Sequence, residues 1–225
     1  HESDEAYLAL KKYKKSTGRP VYAYFCSLAA SGGYYIGCAA DKIFANRNTL
    51  TGSIGVIAGQ SVDATELLGK AGIKMTTITA GKNKNMGNYN SVLTDEQRAI
   101  FQSIADEAYE QFTGIVAESR KMEISDVKKL ADGRVYTALQ AKKNGLIDAV
   151  CPLEEAKESI KSDFYGKMKN GAKAKQNLEF VEFKYKYEMS FADLLSGVSS
   201  FVENPEASIY SVLGKTSSKC LYLYQ

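Results

Sequence analysis

Ser31 is the residue with the clearest capacity for chemistry, because it stands in the segment Ala29-Ala30-Ser31-Gly32-Gly33. A serine hydroxyl becomes a nucleophile when a neighbouring base takes its proton. The glycines allow the backbone to approach a ligand closely, and the N–H of Gly32 could donate to a developing oxyanion if a helix begins here. The simpler alternative is a helix-capping serine beside a tight glycine packing site, and this short segment alone favours that alternative.

The base for such a serine is not expected to be histidine, because the single histidine of the chain is His1. Lysine is the next candidate. Its usual pKa of about 10.4 falls when it is buried beside apolar groups or lies near other cations. The segment Gly81–Asn85 carries Lys82 and Lys84 with little acid nearby. Composition does not choose between these two lysines, and a solvated basic loop is the simpler alternative for both.

Ser53 is a second serine in a glycine-rich setting, Thr51-Gly52-Ser53-Ile54-Gly55. Its hydroxyl could hold a neutral amine in place, although a turn serine that bonds its own backbone is the commoner case. The segment could also suggest phosphate binding. The chain has neither a Walker loop nor a GxGxxG segment, so nucleotide chemistry is disfavoured.

The bulk composition excludes several classes of function. A chain of 225 residues that is 44% hydrophobic can bury one core, with or without an appendage. With 29 basic and 26 acidic residues, it offers no case for nucleic acid as a partner. One histidine and no CxxC pair argue against a zinc site, and no metal or other cofactor is expected. Cys26 and Cys38 lie in apolar contexts and are predicted to be buried thiols.

Alternating strand and helix patterns predict a layered α/β fold with a mainly parallel sheet. A strand at 21–26 and a helix at 31–40 place Ser31 at a strand-to-helix junction. Thr94 and Gln97 form a capping box that begins the longest helix. The composition changes after about residue 164, so residues 165–225 are predicted to form an extension that is either a lid or a packing arm, including against a neighbouring subunit. Further predictions are strands at 75–78, 146–150 and 178–187, a helix at 125–131 capped by Ser125, a basic linker at 167–175 and an amphipathic segment at 190–202.

Several segments, in order along residues 1–160, resemble the signal peptide peptidase A family. They are Ala29–Ile36, Ala40–Ala45, Thr49–Val56, Gly81–Lys84 and Ala131–Asp148. The resemblance implies a Clp-protease/crotonase-like fold with flanking helices. It also implies a Ser–Lys serine endopeptidase that degrades the signal peptides left after preprotein processing.

The resemblance also assigns site residues by position. Ser31 corresponds to the nucleophile and Lys84, rather than Lys82, to the general base. Ser53 matches the serine that hydrogen-bonds the base, and the N–H of Gly32 would be one oxyanion donor. Three apolar residues are candidate walls of the substrate pocket, with ordinary core packing as their alternative: Leu28, Ile54 and Val56.

Members of this family are similar in building ring-like oligomers, so a homo-oligomer is expected, with serine and lysine supplied by one subunit or by adjacent ones. The expected partners are extended apolar peptides, and the expected location is the extracytoplasmic side of a membrane. A membrane anchor and a Gly-Gly segment that completes the oxyanion hole are expected upstream of His1, so residues 1–164 would be an N-terminally truncated peptidase core. The alternatives are a non-catalytic scaffold or regulatory subunit on the same fold, and an acyl-CoA enzyme of crotonase type, which Ser31 with Lys84 disfavours.

Overall fold

The computed structural model of the chain describes residues 1–168, 179–183 and 221–223. The chain divides into two compact units, His1–Ser162 and Asp163–Gln225. The division falls two residues before the boundary that the composition predicted between a core and a C-terminal extension. The roles predicted for the extension, a lid or a packing arm, stay predictions.

The first unit alternates helices and strands, as the sequence pattern predicted. The Thr94 side chain accepts a hydrogen bond from the Gln97 N–H and the Gln97 side chain reaches back, so the predicted capping box is confirmed. The elements are α1 (Glu2–Thr17), β1 (Tyr22–Phe25), β2 (Leu28–Ala30), α2 (Gly32–Gly37), β3 (Lys42–Ala45), β4 (Leu50–Gly52), α3 (Thr65–Lys70), α4 (Asp95–Arg120), α5 (Ile124–Leu130), β5 (Val135–Thr137), α6 (Ala138–Lys143), β6 (Ala149–Val150) and α7 (Leu153–Met168), which continues past residue 162.

The strands form two small sheets, ordered β1-β3-β6 and β2-β4-β5. The pairs β1–β3, β3–β6 and β2–β4 are parallel, whereas β4 and β5 run antiparallel. The predicted layered α/β fold with mainly parallel strands and flanking helices is confirmed, with the strands divided between two sheets. Parallel strands need helical crossovers, which is why short strands and helices alternate along the chain.

The core is built where α2 and α4 meet the strands. Tyr34, Ile43 and Leu146 are wholly buried, and the Tyr34 hydroxyl donates to the Leu146 carbonyl oxygen at 2.8 Å. At the edge of this core, Arg120 donates two hydrogen bonds to the Asp148 carboxylate, at 2.9 and 3.0 Å. This pair ties the end of α4 to the turn that leads into β6.

Asp148 also accepts a hydrogen bond from the Ile43 N–H at 2.7 Å. Its burial works against the charged carboxylate, but the hydrogen bonds from Arg120 and from the Ile43 N–H outweigh that effect and lower the pKa of Asp148 below its usual range. Asp148 is therefore a hydrogen-bonded carboxylate that connects α4 to β3.

Two strand predictions and one cap are corrected. Residues 75–78 form no strand, since Met75 and Ile78 are exposed and the segment is paired to none of the described strands. An apolar run without a hydrogen-bonded neighbour cannot complete a sheet ladder. The strand predicted at 146–150 shortens to β6 because Leu146 and Ile147 pack in the preceding turn. Helix α5 begins one residue early, with Glu123 rather than Ser125 at its N-cap.

The prediction of buried cysteines is right for Cys38 and wrong for Cys26. Cys38 is buried in the core, and its burial raises the pKa of the thiol to about 12. Cys26 is exposed, because it follows the last residue of β1 and precedes the turn into β2.

In the second unit, β7 (Val181–Phe183) and β8 (Leu221–Leu223) pair antiparallel, and β7 lies inside the range 178–187 that the alternation predicted. The predicted linker at 167–175 begins inside α7 and otherwise lies outside the described residues, as does the predicted amphipathic segment at 190–202. Among the helices of the described residues, none has the length and apolar character required to cross a membrane.

Candidate active site

Ser31 lies between the end of β2 and the first residue of α2. The sequence predicted the strand-to-helix junction, but it placed β1 immediately before the serine. The structure inserts β2, which pairs parallel with β4. Leu28, Ala29 and Ala30 carry no β-branched or aromatic signal, so β2 was not predictable from propensity.

The backbone of Ser31 has an unusual conformation, with φ 52° and ψ −120°. This is the first central position of a type II′ turn, which glycine normally occupies. Two hydrogen bonds hold it there: the Ser31 N–H donates to the Gly52 carbonyl at 2.8 Å, and the Ser31 carbonyl accepts from the Tyr35 N–H at 2.9 Å. A non-glycine residue in such a region costs on the order of 1–3 kcal/mol, and residues of this kind cluster at functional sites.

Ser53 lies next to Ser31 at the same edge of the second sheet. The register pairs Ala30 with Gly52, so each serine is the first residue beyond a matched pair on neighbouring parallel strands. Ser53 also has positive φ, at 50°, and its N–H donates to the Arg134 carbonyl at 2.8 Å. Neighbouring strands lie about 4.8 Å apart, which places the backbones of the two serines side by side.

A cavity of about 410 Å³ opens beside Ser31. This volume lies within the range of about 300–1,000 Å³ that is usual for ligand pockets. Among the predicted site residues, Ser31, Gly32 and Val56 line this cavity. The predicted nucleophile, the predicted oxyanion donor and one predicted pocket residue therefore face the same cavity. Within the described part of the chain, no cluster of three histidine, cysteine or acidic residues could hold a metal ion.

The other predicted residues do not line this cavity. Leu28 is 71% exposed on β2. Ile54 is wholly buried in the core, which agrees with the alternative given for it, ordinary core packing rather than a pocket wall. Lys84 is exposed in the loop between α3 and α4, where its N–H donates to the Gly81 carbonyl at 3.2 Å. The structure thus brings Ser31 and Ser53 together and leaves Lys84 outside the cavity.

The two lysines of this loop differ in their partners. The Lys82 ammonium donates to the carboxylate of Glu96, and this hydrogen bond lowers the pKa of Glu96. Within the described residues, Lys84 has no carboxylate at ion-pair distance. An ammonium held by a carboxylate cannot serve as a base, although an exposed pair of this kind is weak. The structure therefore distinguishes the two lysines only by this ion pair.

The sequence analysis did not name most of the lining residues as site residues, and among these are Asp4, Tyr35 and Gln111. These three come from α1, α2 and α4, and Asp4 and Gln111 are 107 residues apart. Asp4 had a local explanation as one of the acidic residues in the first turn of α1. Nothing in the local pattern around Gln111 marks it as a site residue.

An exposed serine held in a strained backbone between a strand and a helix is typical of α/β serine hydrolases. Comparison with known proteins agrees with this class: the sequence profile of peptidase family S49 matches residues 13–164. The chain belongs to peptidase family S49.

Two curated relatives illustrate the family. A protein of Enterococcus faecium, provisionally named signal peptide peptidase SppA, is 40% identical over 72% of this chain and 47% of its own length. The chloroplastic serine protease SPPA of Arabidopsis thaliana is 35% identical over 87% of this chain and 28% of its own length. The chain thus spans about half the length of the first of these relatives, and less of the second.

Among solved structures, a point mutant of ClpP1 from Listeria monocytogenes is similar with a TM-score of 0.43 and 17% identity. The similarity covers 67% of this chain and 68% of that one.

Proposed function

We propose that the chain forms the peptidase core of a serine endopeptidase that degrades signal-peptide remnants or other extended apolar peptides. Ser31 is the nucleophile, Lys84 the general base, and Ser53 the residue that hydrogen-bonds the Lys84 amine. The observation that carries the proposal is the strained, exposed Ser31 beside a cavity, in a chain that belongs to a peptidase family. No cofactor takes part in this mechanism.

The chemistry follows from these roles. The neutral Lys84 amine takes the proton of the Ser31 hydroxyl while Oγ attacks the scissile carbonyl carbon. The Gly32 N–H donates to the resulting oxyanion, since the first residues of α2 have no carbonyl partner within the helix. The Lys84 ammonium then returns the proton to the departing amine, which leaves an acyl-enzyme. Water then gives a proton to the neutral Lys84 amine and attacks the ester carbon. The bond from that carbon to Ser31 Oγ breaks, the Lys84 ammonium returns its proton to Oγ, and the peptide leaves as a carboxylic acid.

The exposure of Lys84 sets a requirement on this mechanism. A lysine becomes a base only when its charged form is disfavoured, and desolvation achieves this. We propose that the loop carrying Lys84 is covered in a homo-oligomer, with Lys84 meeting Ser31 of its own or of an adjacent subunit. The same proposal puts the peptidase core at the extracytoplasmic face of a membrane.

The test is cleavage of an internally quenched apolar peptide by matched variants. Ser31→Ala and Lys84→Ala should each lower kcat/KM by about 1,000-fold or more, because each removes a group that acts in the transition state. Lys82→Ala is the control for loop charge and should retain cleavage within about threefold, because its ammonium is engaged by Glu96 and lies outside the chemistry. Wild-type activity should rise toward alkaline pH as the base loses its proton.

The position of Lys84 outside the Ser31 cavity favours one other function, a non-catalytic scaffold on the same fold. A fluorophosphonate probe separates the two proposals. Covalent labelling of Ser31 that is lost in Ser31→Ala supports the peptidase. An intact oligomer with no labelling and no cleavage supports the scaffold.

A further inference from the structure

Three helices meet at a hydrogen-bonded cluster in the wall of the Ser31 cavity. The Tyr35 hydroxyl donates to Asp4 Oδ1 at 2.6 Å. The Gln111 amide nitrogen donates to the Tyr35 hydroxyl oxygen at 2.7 Å and to the same Asp4 oxygen at 3.3 Å. All three residues line the cavity that Ser31 lines. The cluster thus fixes one carboxylate at the mouth of the candidate active site.

The cluster lies close to the nucleophile in the chain and in space. Tyr35 is four residues after Ser31, and its N–H donates to the Ser31 carbonyl. Ser3, the neighbour of Asp4, packs so tightly on the residue after the nucleophile that a Cβ added to Gly32 would overlap its hydroxyl. The first turn of α1 therefore lies directly against the residue that follows the nucleophile.

The Asp4 carboxylate has no ion-pair partner within 4 Å among the described residues. Its Oδ1 accepts both hydrogen bonds of the cluster, whereas its Oδ2 has no hydrogen-bond or ion-pair partner among the described residues. Burial and the hydrogen bond to Asp4 raise the pKa of Tyr35 to about 12, so Tyr35 is a neutral donor that does not repel a cation. His1 also lines the cavity.

We propose that Asp4 is a specificity-determining residue that binds a lysine or arginine side chain of the peptide, at a position near the bond that Ser31 cleaves. The inference rests on the proposed function and adds a basic residue to its apolar substrate class. A half-buried carboxylate with one open oxygen is the natural partner of an ammonium or guanidinium group. Signal peptides supply this chemistry, because a positively charged segment precedes their apolar one.

Tyr35 and Gln111 are positioning residues in this arrangement. Their hydrogen bonds to Oδ1 hold the carboxylate in one orientation, so that Oδ2 is the oxygen left for the substrate. They fix the carboxylate without neutralising it, since both are uncharged donors.

The test is a scan of lysine against norleucine through an internally quenched apolar peptide, one position at a time. At one position near the scissile bond, the wild-type enzyme should cleave the lysine peptide with a kcat/KM about tenfold higher, as expected for a partly exposed hydrogen bond between charged groups. Asp4→Asn should bring this ratio close to one, and Asp4→Glu should restore part of it. Glu5→Gln removes the same charge from an exposed neighbour outside the cavity and should leave the ratio unchanged.

The outcomes separate this inference from the proposed function. Cleavage by the wild type without a lysine preference at any position, or a preference that survives Asp4→Asn, overturns the role of Asp4 and leaves the peptidase intact. Absence of cleavage and of Ser31 labelling overturns the proposed function itself. If Asp4→Asn fails to fold, the absence of a lysine preference in the wild-type enzyme would still overturn the role of Asp4. A preference that depends on a charge pair must shrink as salt is raised, and one that is independent of salt contradicts the proposal.

Discussion

Replacing Ser31 by glycine should stabilise the protein while it abolishes catalysis. Ser31 occupies φ 52° and ψ −120°, a region that suits glycine and penalises a residue with a Cβ. The natural comparison is Ser31→Ala, which also removes the hydroxyl but keeps the Cβ. The difference between the two variants therefore reports the backbone strain together with the greater freedom of glycine in the unfolded chain.

The magnitude follows from two opposing terms. Relief of the strain at residue 31 contributes on the order of 1–3 kcal/mol to the free energy of unfolding. The greater freedom of glycine in the unfolded chain subtracts about 0.4–1 kcal/mol. Ser31→Gly should therefore exceed Ser31→Ala in free energy of unfolding by about 1 kcal/mol. Since neither variant has a nucleophile, both should be inactive.

Ser27 supplies the matched control, because it is an exposed serine in the turn before β2 and its φ is not positive. At residue 27 there is no backbone strain to relieve, so only the greater freedom of glycine in the unfolded chain matters. Ser27→Gly should therefore be less stable than Ser27→Ala by about 0.4–1 kcal/mol. Urea unfolding followed by far-ultraviolet circular dichroism suits the chain, which contains no tryptophan. If glycine is the less stable choice at residue 31 by the same margin as at residue 27, the reasoning from strain is wrong.

Two further predictions test the fold around the site. An added Cβ at Gly37 would lie 2.5 Å from the Phe25 ring, whereas one at Gly114 in α4 meets nothing within 4 Å. Gly37→Ala should therefore lower the urea midpoint by the equivalent of about 2 kcal/mol, and Gly114→Ala should raise it by about 0.8 kcal/mol; equal effects would contradict the packing. Because the folded pKa of Asp148 is lowered by Arg120, its stabilisation is present above the unfolded value of about 3.9 and lost as pH falls through the folded value. In Asp148→Asn, the free energy of unfolding should fall less steeply below about pH 4. An unchanged dependence on pH there would show that the Arg120–Asp148 pair does not contribute to it.

Local signals predicted those parts of the fold whose causes are local. The Thr94 capping box needed only neighbouring residues, and it is present. The strand predicted at 75–78 failed because a strand also needs a partner, which no local pattern supplies. Strand β2 was missed for the opposite reason, since pairing with β4 overrides the weak propensity of Leu28–Ala30.

The candidate site divides in the same way. Ser31 and Gly32 share one short segment, which marked them as candidates, and the family resemblance then assigned their roles. The Asp4–Gln111 hydrogen bond joins α1 to α4 and exists only because those helices pack on α2. The proposed meeting of Lys84 with Ser31 also depends on contacts that are distant in the sequence, and the assignment of Lys84 came from the family resemblance alone.

The most direct test of the Ser–Lys mechanism is the distance between Ser31 Oγ and Lys84 Nζ in the assembled protein with a peptide bound. The mechanism predicts a separation of about 2.6–3.2 Å, within one chain or across two, with the Ser53 hydroxyl on the same nitrogen. A bound peptide whose scissile carbonyl faces Ser31 while Lys84 stays out of reach in every subunit would contradict it.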